Sequence, residues 1–237
     1  MIPIREAQPL GAEFYDRDPR RVARALLGKL LVRRTRGQIL AGRVVETEAY
    51  LGTGDEAAHS FAGKTDRNAV LFGPPGFAYV YFIYGTHYCF NVSCLPDGEA
   101  GGVLFRALEP VAGIESMAKA RGLEAPESEL RSPDAESLRS TTRGNARSER
   151  RQLRFLRSIS SGPGRMCEAL GITRVRDNGK NLMSSRSDLQ IVDDGYRVRK
   201  VAVGPRVGIT KSAAEQLRYL IADNPFVSVP LRSPVKA

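Results

Sequence analysis

Glu46 and Glu48 stand two residues apart in the stretch Arg43-Val-Val-Glu-Thr-Glu-Ala-Tyr50, and Tyr50 follows at the same interval. The next segment, Asp55-Glu-Ala-Ala-His-Ser60, adds two acids and His59, one of only two histidines in the chain. Read as an extended strand, the first segment turns Glu46, Glu48 and Tyr50 to one face through the two-residue side-chain period. A carboxylate beside an aromatic plane suits a flat heterocyclic substrate: the ring stacks while the acid takes or gives a proton. The same residue types also suit a solvated edge strand. In a third arrangement Glu46, Glu48, Asp55 and Glu56 would hold Mg²⁺ near a phosphate, as in a metal-dependent nuclease.

Positioning such groups requires strands, and the sequence supplies them. Asp18-Pro19 provides an N-cap and a preset first helical residue, and Val22, Ala25 and Leu26 form an apolar stripe that Gly28 ends. Residues 29–34 and 38–50 then read as an antiparallel pair around Thr35-Arg36-Gly37. Residues 77–84 and 87–94, rich in aromatic and β-branched side chains, predict a second hairpin. Gly85-Thr86 would be its type II′ turn, and Tyr84 would sit beside the tip. A strand over 102–108 follows, with Glu109-Pro110 as the expected start of a helix running to Arg121.

From Leu123 to about Leu153 the chain turns polar and lacks apolar periodicity, which predicts a mobile insertion. Seven arginines against one glutamate between Arg139 and Arg157 suit either a phosphate-tracking arm or a solvated one. Ser161-Gly-Pro-Gly164 opens a short helix over 165–170, and strands are expected over 188–192 and 197–203, before an irregular loop at 204–208. Antiparallel pairs with helices between them, rather than βαβ alternation, predict an α+β fold. We expect a single domain built on a curved, mostly antiparallel β-sheet with short helices and one projecting hairpin.

Composition narrows the function classes. The balance of 36 Lys and Arg against 26 Asp and Glu gives a net charge of +10, which favours a polyanionic partner. Cys89, Cys94 and Cys167 are odd in number and lack CxxC spacing, which fits reduced thiols in an intracellular protein. With two distant histidines they form no zinc signature. The start of the chain lacks the apolar core of a signal peptide, and no apolar run approaches membrane-spanning length. The expected setting is therefore the bacterial cytoplasm, or the nucleus of a eukaryote, with no membrane partner.

Taken together, the strings VVETEAYLG, DEAAHS, YVYFIYG, FNVS, LFRALEP, SGPGRMCEAL and RVGI, in that order, resemble the alkyladenine (3-methyladenine) DNA glycosylase family from about Leu10 to Pro230. The resemblance implies a monomeric base-excision-repair enzyme that acts on double-stranded DNA containing damaged purines, without metal or organic cofactor. It implies that Glu48 activates water, with Arg106 and the backbone carbonyl of Val207 holding that water. Tyr50 and His59 would stack on one face of a flipped base and Tyr81 on the other, with backbone contacts at Ala58 and His59 reading the adenine edge. Asn91 would exclude guanine through its exocyclic amine, and Tyr84 would fill the gap left in the duplex. Arg67 and Arg165 would meet phosphates. The family often has an apolar residue after the hairpin glycine, where this chain has Thr86. No lysine occupies a motif position suited to Schiff-base attack, so a monofunctional enzyme is expected.

Overall fold

The computed structural model describes residues 2–35, 37–124 and 146–231. Eight strands form one antiparallel sheet: β1 (Leu30–Thr35), β2 (Gln38–Tyr50), β3 (Ala78–Ile83), β4 (His87–Ser93), β5 (Gly102–Ala112), β6 (Leu189–Val192), β7 (Val201–Gly204) and β8 (Arg218–Ile221). Their order is β3-β4-β5-β2-β1-β6, and β7 joins through β8, which pairs with β2. The fold is α+β, with the sheet curled into a half-barrel and short helices around it. The helices are α1 (Ala12–Tyr15), α2 (Pro19–Leu26), α3 (Ile114–Ala120), α4 (Ala146–Ser160), α5 (Pro163–Ala169) and α6 (Arg174–Asp177). None is long and apolar enough to cross a membrane.

β2 is the spine of the sheet. Its thirteen residues pair with β5 along one edge, while β1 and β8 divide the other between them. Buried almost throughout, β2 is a central strand and not a solvated edge. Val80, Phe90, Val92, Val103, Phe105 and Ala49 are fully buried in the main apolar cluster with Val22, Ala23 and Leu26 of α2. The Thr47 hydroxyl donates to the Ala23 carbonyl at 2.9 Å and ties that helix to the spine. Asp18 caps α2 as expected, accepting from the Arg20 amide.

Several expectations need correction. The strand that begins at Gly102 runs through Glu109 and Pro110 to Ala112, and the helix starts only after Gly113, whose φ of 70° makes the turn. Pro110 is tolerated there because the β2–β5 register slips between Ala41 and Gly42, opposite it, so no regular ladder donor is lost. The hairpin tip spans Tyr84, Gly85 and Thr86, and Ile83 O accepts from Thr86 N at 3.2 Å. Tyr84 and Gly85 both have positive φ, 54° and 67°, which is the type I′ pattern rather than type II′. Finally, residues 146–153, read as part of a mobile insertion, belong to α4, whose Leu156 and Ile159 are buried. The rest of that insertion, 125–145, lies outside the described residues. Of the expected 197–203 strand only Val201–Gly204 forms, and β8 was not anticipated.

Away from the spine, Arg33 is fully buried and makes a two-pronged pair with Asp177 at 2.9 and 2.8 Å, with Asp188 at 3.0 Å and Leu170 O at 3.1 Å. This cluster joins β1 to the segment that covers the β3 edge, where Ala78 N donates to Lys180 O. Breaking a buried ion pair strands its partner charge, so Arg33→Met is expected to lower stability by about 3–5 kcal/mol. Equilibrium urea unfolding checks this: the midpoint falls while the slope stays constant.

Candidate active site

A run of cross-strand register partners carries the site across four strands. Tyr79 pairs with Asn91, Asn91 with Leu104, and Leu104 with Glu48, so all four side chains share one face of the sheet. The neighbouring rung holds Tyr81 and Cys89. On this face lies a cavity of about 800 Å³, whose walls include Tyr50, His59, Tyr81, Asn91, Arg106 and Val207. Ala58, Tyr84 and Arg165 also border it.

Glu48 is wholly buried, and both of its oxygens are engaged. Val207 N donates to one at 2.7 Å, Tyr50 Oη donates to the other at 3.1 Å, and Arg106 Nη1 lies 3.4 Å from the first. Arg106 also donates through Nε to Glu46 at 3.1 Å, and so bridges the two glutamates. Its placement comes from a bulge: Glu46 pairs with Ala107 and Thr47 with Phe105, which leaves Arg106 as the extra residue on β5. A bulge re-aims the side chain it carries. Glu46 is further held by Arg218 at 2.9 Å and by the Ser228 amide at 2.7 Å, so it is saturated.

Burial raises the Glu48 carboxyl above its ordinary range, although Arg106, the Val207 amide and the Tyr50 hydroxyl pull the other way. Burial also pushes the Tyr50 and Tyr81 hydroxyls up, which keeps both neutral hydrogen-bonding groups. The His59 ring is held below its ordinary value by burial and by the nearby Arg67 charge, so it is neutral near pH 7.

The rings divide differently from the expectation. His59 lies 4.4 Å from Tyr81 in an edge-to-face contact, Tyr79 is 5.5 Å from Tyr81, and Tyr79 Oη meets His59 Nδ1 at 2.9 Å. His59 and Tyr81 therefore belong to one wall, because rings in direct contact leave no slot between them for a base. Tyr50 is a separate wall. Its ring makes no contact with that cluster among the described residues, and the Arg206 guanidinium lies over it at 4.6 Å.

Asn91 is buried, and its amide donates to Tyr79 O at 3.2 Å, which fixes its orientation beside the cavity. The His59 carbonyl accepts from the Asn68 amide at 2.8 Å, which ties the loop that carries the ring. Tyr84 is 82% exposed at the hairpin tip in a left-handed conformation that only a few per cent of non-glycine residues adopt. Arg165 borders the cavity, whereas Arg67 lies outside it, exposed and close to His59 and Tyr79. Val207 meets Glu48 through its amide.

The carboxylates that a nuclease would need do not converge. Glu46 is locked to Arg106 and Arg218, Asp55 to Arg206, and Glu56 faces Lys211 at the surface. Among the described residues no group of three His, Cys, Asp or Glu side chains is arranged to hold a metal. Several participants went unnoticed in the sequence: Tyr79, Asn68, Arg206 and Arg218. Only Tyr79 carried a local signal, its two-residue spacing from Tyr81 in a strand.

The chain matches known proteins over nearly its whole length. Residues 13–225 match the family model described as methylpurine-DNA glycosylase (MPG). A protein of Koribacter versatilis (strain Ellin345), named "Putative 3-methyladenine DNA glycosylase", is 56% identical over 225 residues that cover 95% of each chain. Proteins of the same name from Alkaliphilus oremlandii and Clostridium botulinum (strain Langeland) are 38% and 41% identical over 224 residues, covering 92% and 93% of this chain. With its sheet, its buried glutamate and these relatives in accord over nearly the whole length, the chain belongs to the methylpurine-DNA glycosylase family.

Proposed function

We propose that the protein excises alkylated or deaminated purines from duplex DNA by hydrolysing the N-glycosidic bond with water activated by Glu48, and leaves an abasic site. One observation carries the reading: a wholly buried glutamate, held through both oxygens beside Arg106, next to a cavity walled by Tyr50 and by His59 with Tyr81. The family membership and the +10 charge support a DNA substrate.

Chemistry on a base requires taking it out of the stack, and a flat, ring-lined cavity receives it. The exposed Tyr84 at the hairpin tip takes its place in the duplex. Inside, Tyr50 stacks on one face of the base, and His59 and Tyr81 bear on the other. Asn91 excludes the exocyclic amine of guanine, because that amine would meet a fixed amide and lose its partners. The bond between C1′ and the purine nitrogen then breaks, and the base leaves with the electron pair as positive charge develops on the sugar. The Glu48 carboxylate stabilises that charge and takes a proton from water as the oxygen bonds to C1′. Arg106 keeps Glu48 ionised and helps hold the water together with the Val207 backbone. Arg165 and Arg67 meet phosphates at the mouth.

Incubating the protein with duplexes that carry single hypoxanthine, ethenoadenine, 3-methyladenine or uracil residues tests this directly. Free purine base is expected, undiminished by EDTA; freed base that disappears with EDTA would point to metal-dependent chemistry instead. Glu48→Gln is expected to bind the same duplexes with unchanged Kd and to release base more than about 1000-fold more slowly. Near wild-type release would remove Glu48 from the role of base. Borohydride trapping is expected to yield no protein–DNA adduct, since no lysine attacks the sugar.

The pH profile has a definite sign. Only the ionised Glu48 can take a proton, and burial raises its pKa. Single-turnover excision should therefore fall tenfold per pH unit below a midpoint that lies above the ~4.3 of an ordinary glutamate. An activity that stays flat down to that value contradicts the assignment.

A further inference from the structure

The two walls of the cavity are supported unequally. His59, Tyr79 and Tyr81 brace one another, and Asn68 pins the loop beneath His59. Among the described residues Tyr50 has no such ring partner; its hydroxyl is tied to Glu48, and its face rests against the Arg206 guanidinium, 4.6 Å from the ring centre. Tyr50 borders the cavity and Arg206 does not, so the guanidinium backs the ring from behind.

Arg206 is itself held in three ways. It grips Asp55 with two nitrogens, at 2.5 and 2.8 Å, and donates to the Ala49 carbonyl at 3.1 Å. Asp55 in turn accepts from the Leu51 and Ala57 amides, each at 3.1 Å, and thereby shapes the turn that leads to Ala58 and His59. One residue further along the chain, the Val207 amide holds one oxygen of Glu48, and the Tyr50 hydroxyl holds the other. The pair thus touches β2 at Ala49 and the turn at Leu51 and Ala57, and adjoins Val207, without bordering the cavity itself.

We propose that Arg206, paired with Asp55, is a positioning residue that fixes Tyr50 and the Val207 amide on Glu48 and so couples the stacking wall to the water-activating carboxylate. The inference rests on the reading of Glu48 as general base. It assigns a role to two buried charges that do not border the cavity. A buried pair of this kind is weak evidence for added stability, because desolvation offsets the attraction. Its two-pronged planar geometry is instead suited to orientation, which lysine cannot reproduce in full.

The pH dependence of excision separates this role from plain structural support. The groups that face Glu48 are Arg106 from β5, Glu46 and Tyr50 from β2, Cys89 from β4, and the Val207 amide beside Arg206. Arg106, Tyr50 and Val207 favour the ionised form, and Glu46 opposes it. Loosening Tyr50 and Val207 removes two favourable contacts, so the acid limb must move to higher pH.

The test uses single-turnover excision from a hypoxanthine duplex between pH 5 and 9, with duplex Kd measured in parallel, for wild type, Arg206→Met, Arg206→Lys and Asp55→Asn. Arg206→Met is expected to excise about a hundredfold more slowly, the scale of a misplacement near 1 Å, with Kd within about twofold of wild type. Its acid limb should lie at higher pH, and Arg206→Lys should recover part of both effects. If Arg206→Met does not fold, Arg206→Lys and Asp55→Asn must each show the shifted limb. An unmoved limb in the folded variants, or a rate loss matched by an equal loss of duplex binding, overturns the inference. Failure of the parent reading looks different, because wild type would then free no base or Glu48→Gln would remain active.

Discussion

A carboxylate taken wholly out of water loses several kcal/mol of solvation, and it stays charged only where fixed donors and cations replace what water supplied. Glu48 is that group, and the surrounding architecture answers its cost. Three buried acids, Glu46, Glu48 and Asp55, meet three buried arginines, Arg106, Arg206 and Arg218, drawn from β5, the turn after β7, and β8. Glu46 is saturated by arginines and an amide and so serves as the anchor that points Arg106 at its neighbour. Among the described residues Glu48 keeps one close cation, Arg106, and burial raises its pKa.

Strand geometry converts this charge balance into a site. A regular ladder would place Arg106 in step with its neighbours; the bulge makes it the extra residue between Phe105 and Ala107, and its guanidinium reaches both glutamates. The division of one β2 edge between β1 and β8 delivers Arg218 to the same place. On the far side, the β3–β4 hairpin carries Tyr79, Tyr81 and Asn91 on its cavity face and lifts Tyr84 into solvent at its tip. A tyrosine in the left-handed region is strained, and such strain is retained where the surrounding structure or the function holds it. Stiff scaffold and projecting tip are thus parts of one sheet.

Local signals in the chain were enough for the elements whose pattern is self-contained. The capped helix after Asp18, the β1–β2 pair and the aromatic hairpin all follow from caps, turn residues and alternation. Elements that depend on distant partners were misread. Pro110 reads as a helix start, yet the strand continues because the register slips opposite it. β8 was not anticipated, and it exists because β2 offers it an edge. Residues 146–153 look like a polar arm, yet α4 forms there with its few apolar residues buried.

By itself the sequence determined the family, the α+β class, and the aromatic and amide residues that line one cavity beside the buried acid, because those rest on residue types and short spacings. The tertiary structure decided how the residues are grouped. It joined His59 to Tyr81 with the Tyr50 ring apart from them, turned the Val207 amide to Glu48, tied the His59 carbonyl to Asn68, and brought Arg206 and Arg218 across more than 150 positions of chain to the acids of β2 and the turn that follows it. Contacts between residues so far apart carry no local signature. They are set when the curled sheet closes, and the buried charges accept only the partners that this closure brings within reach.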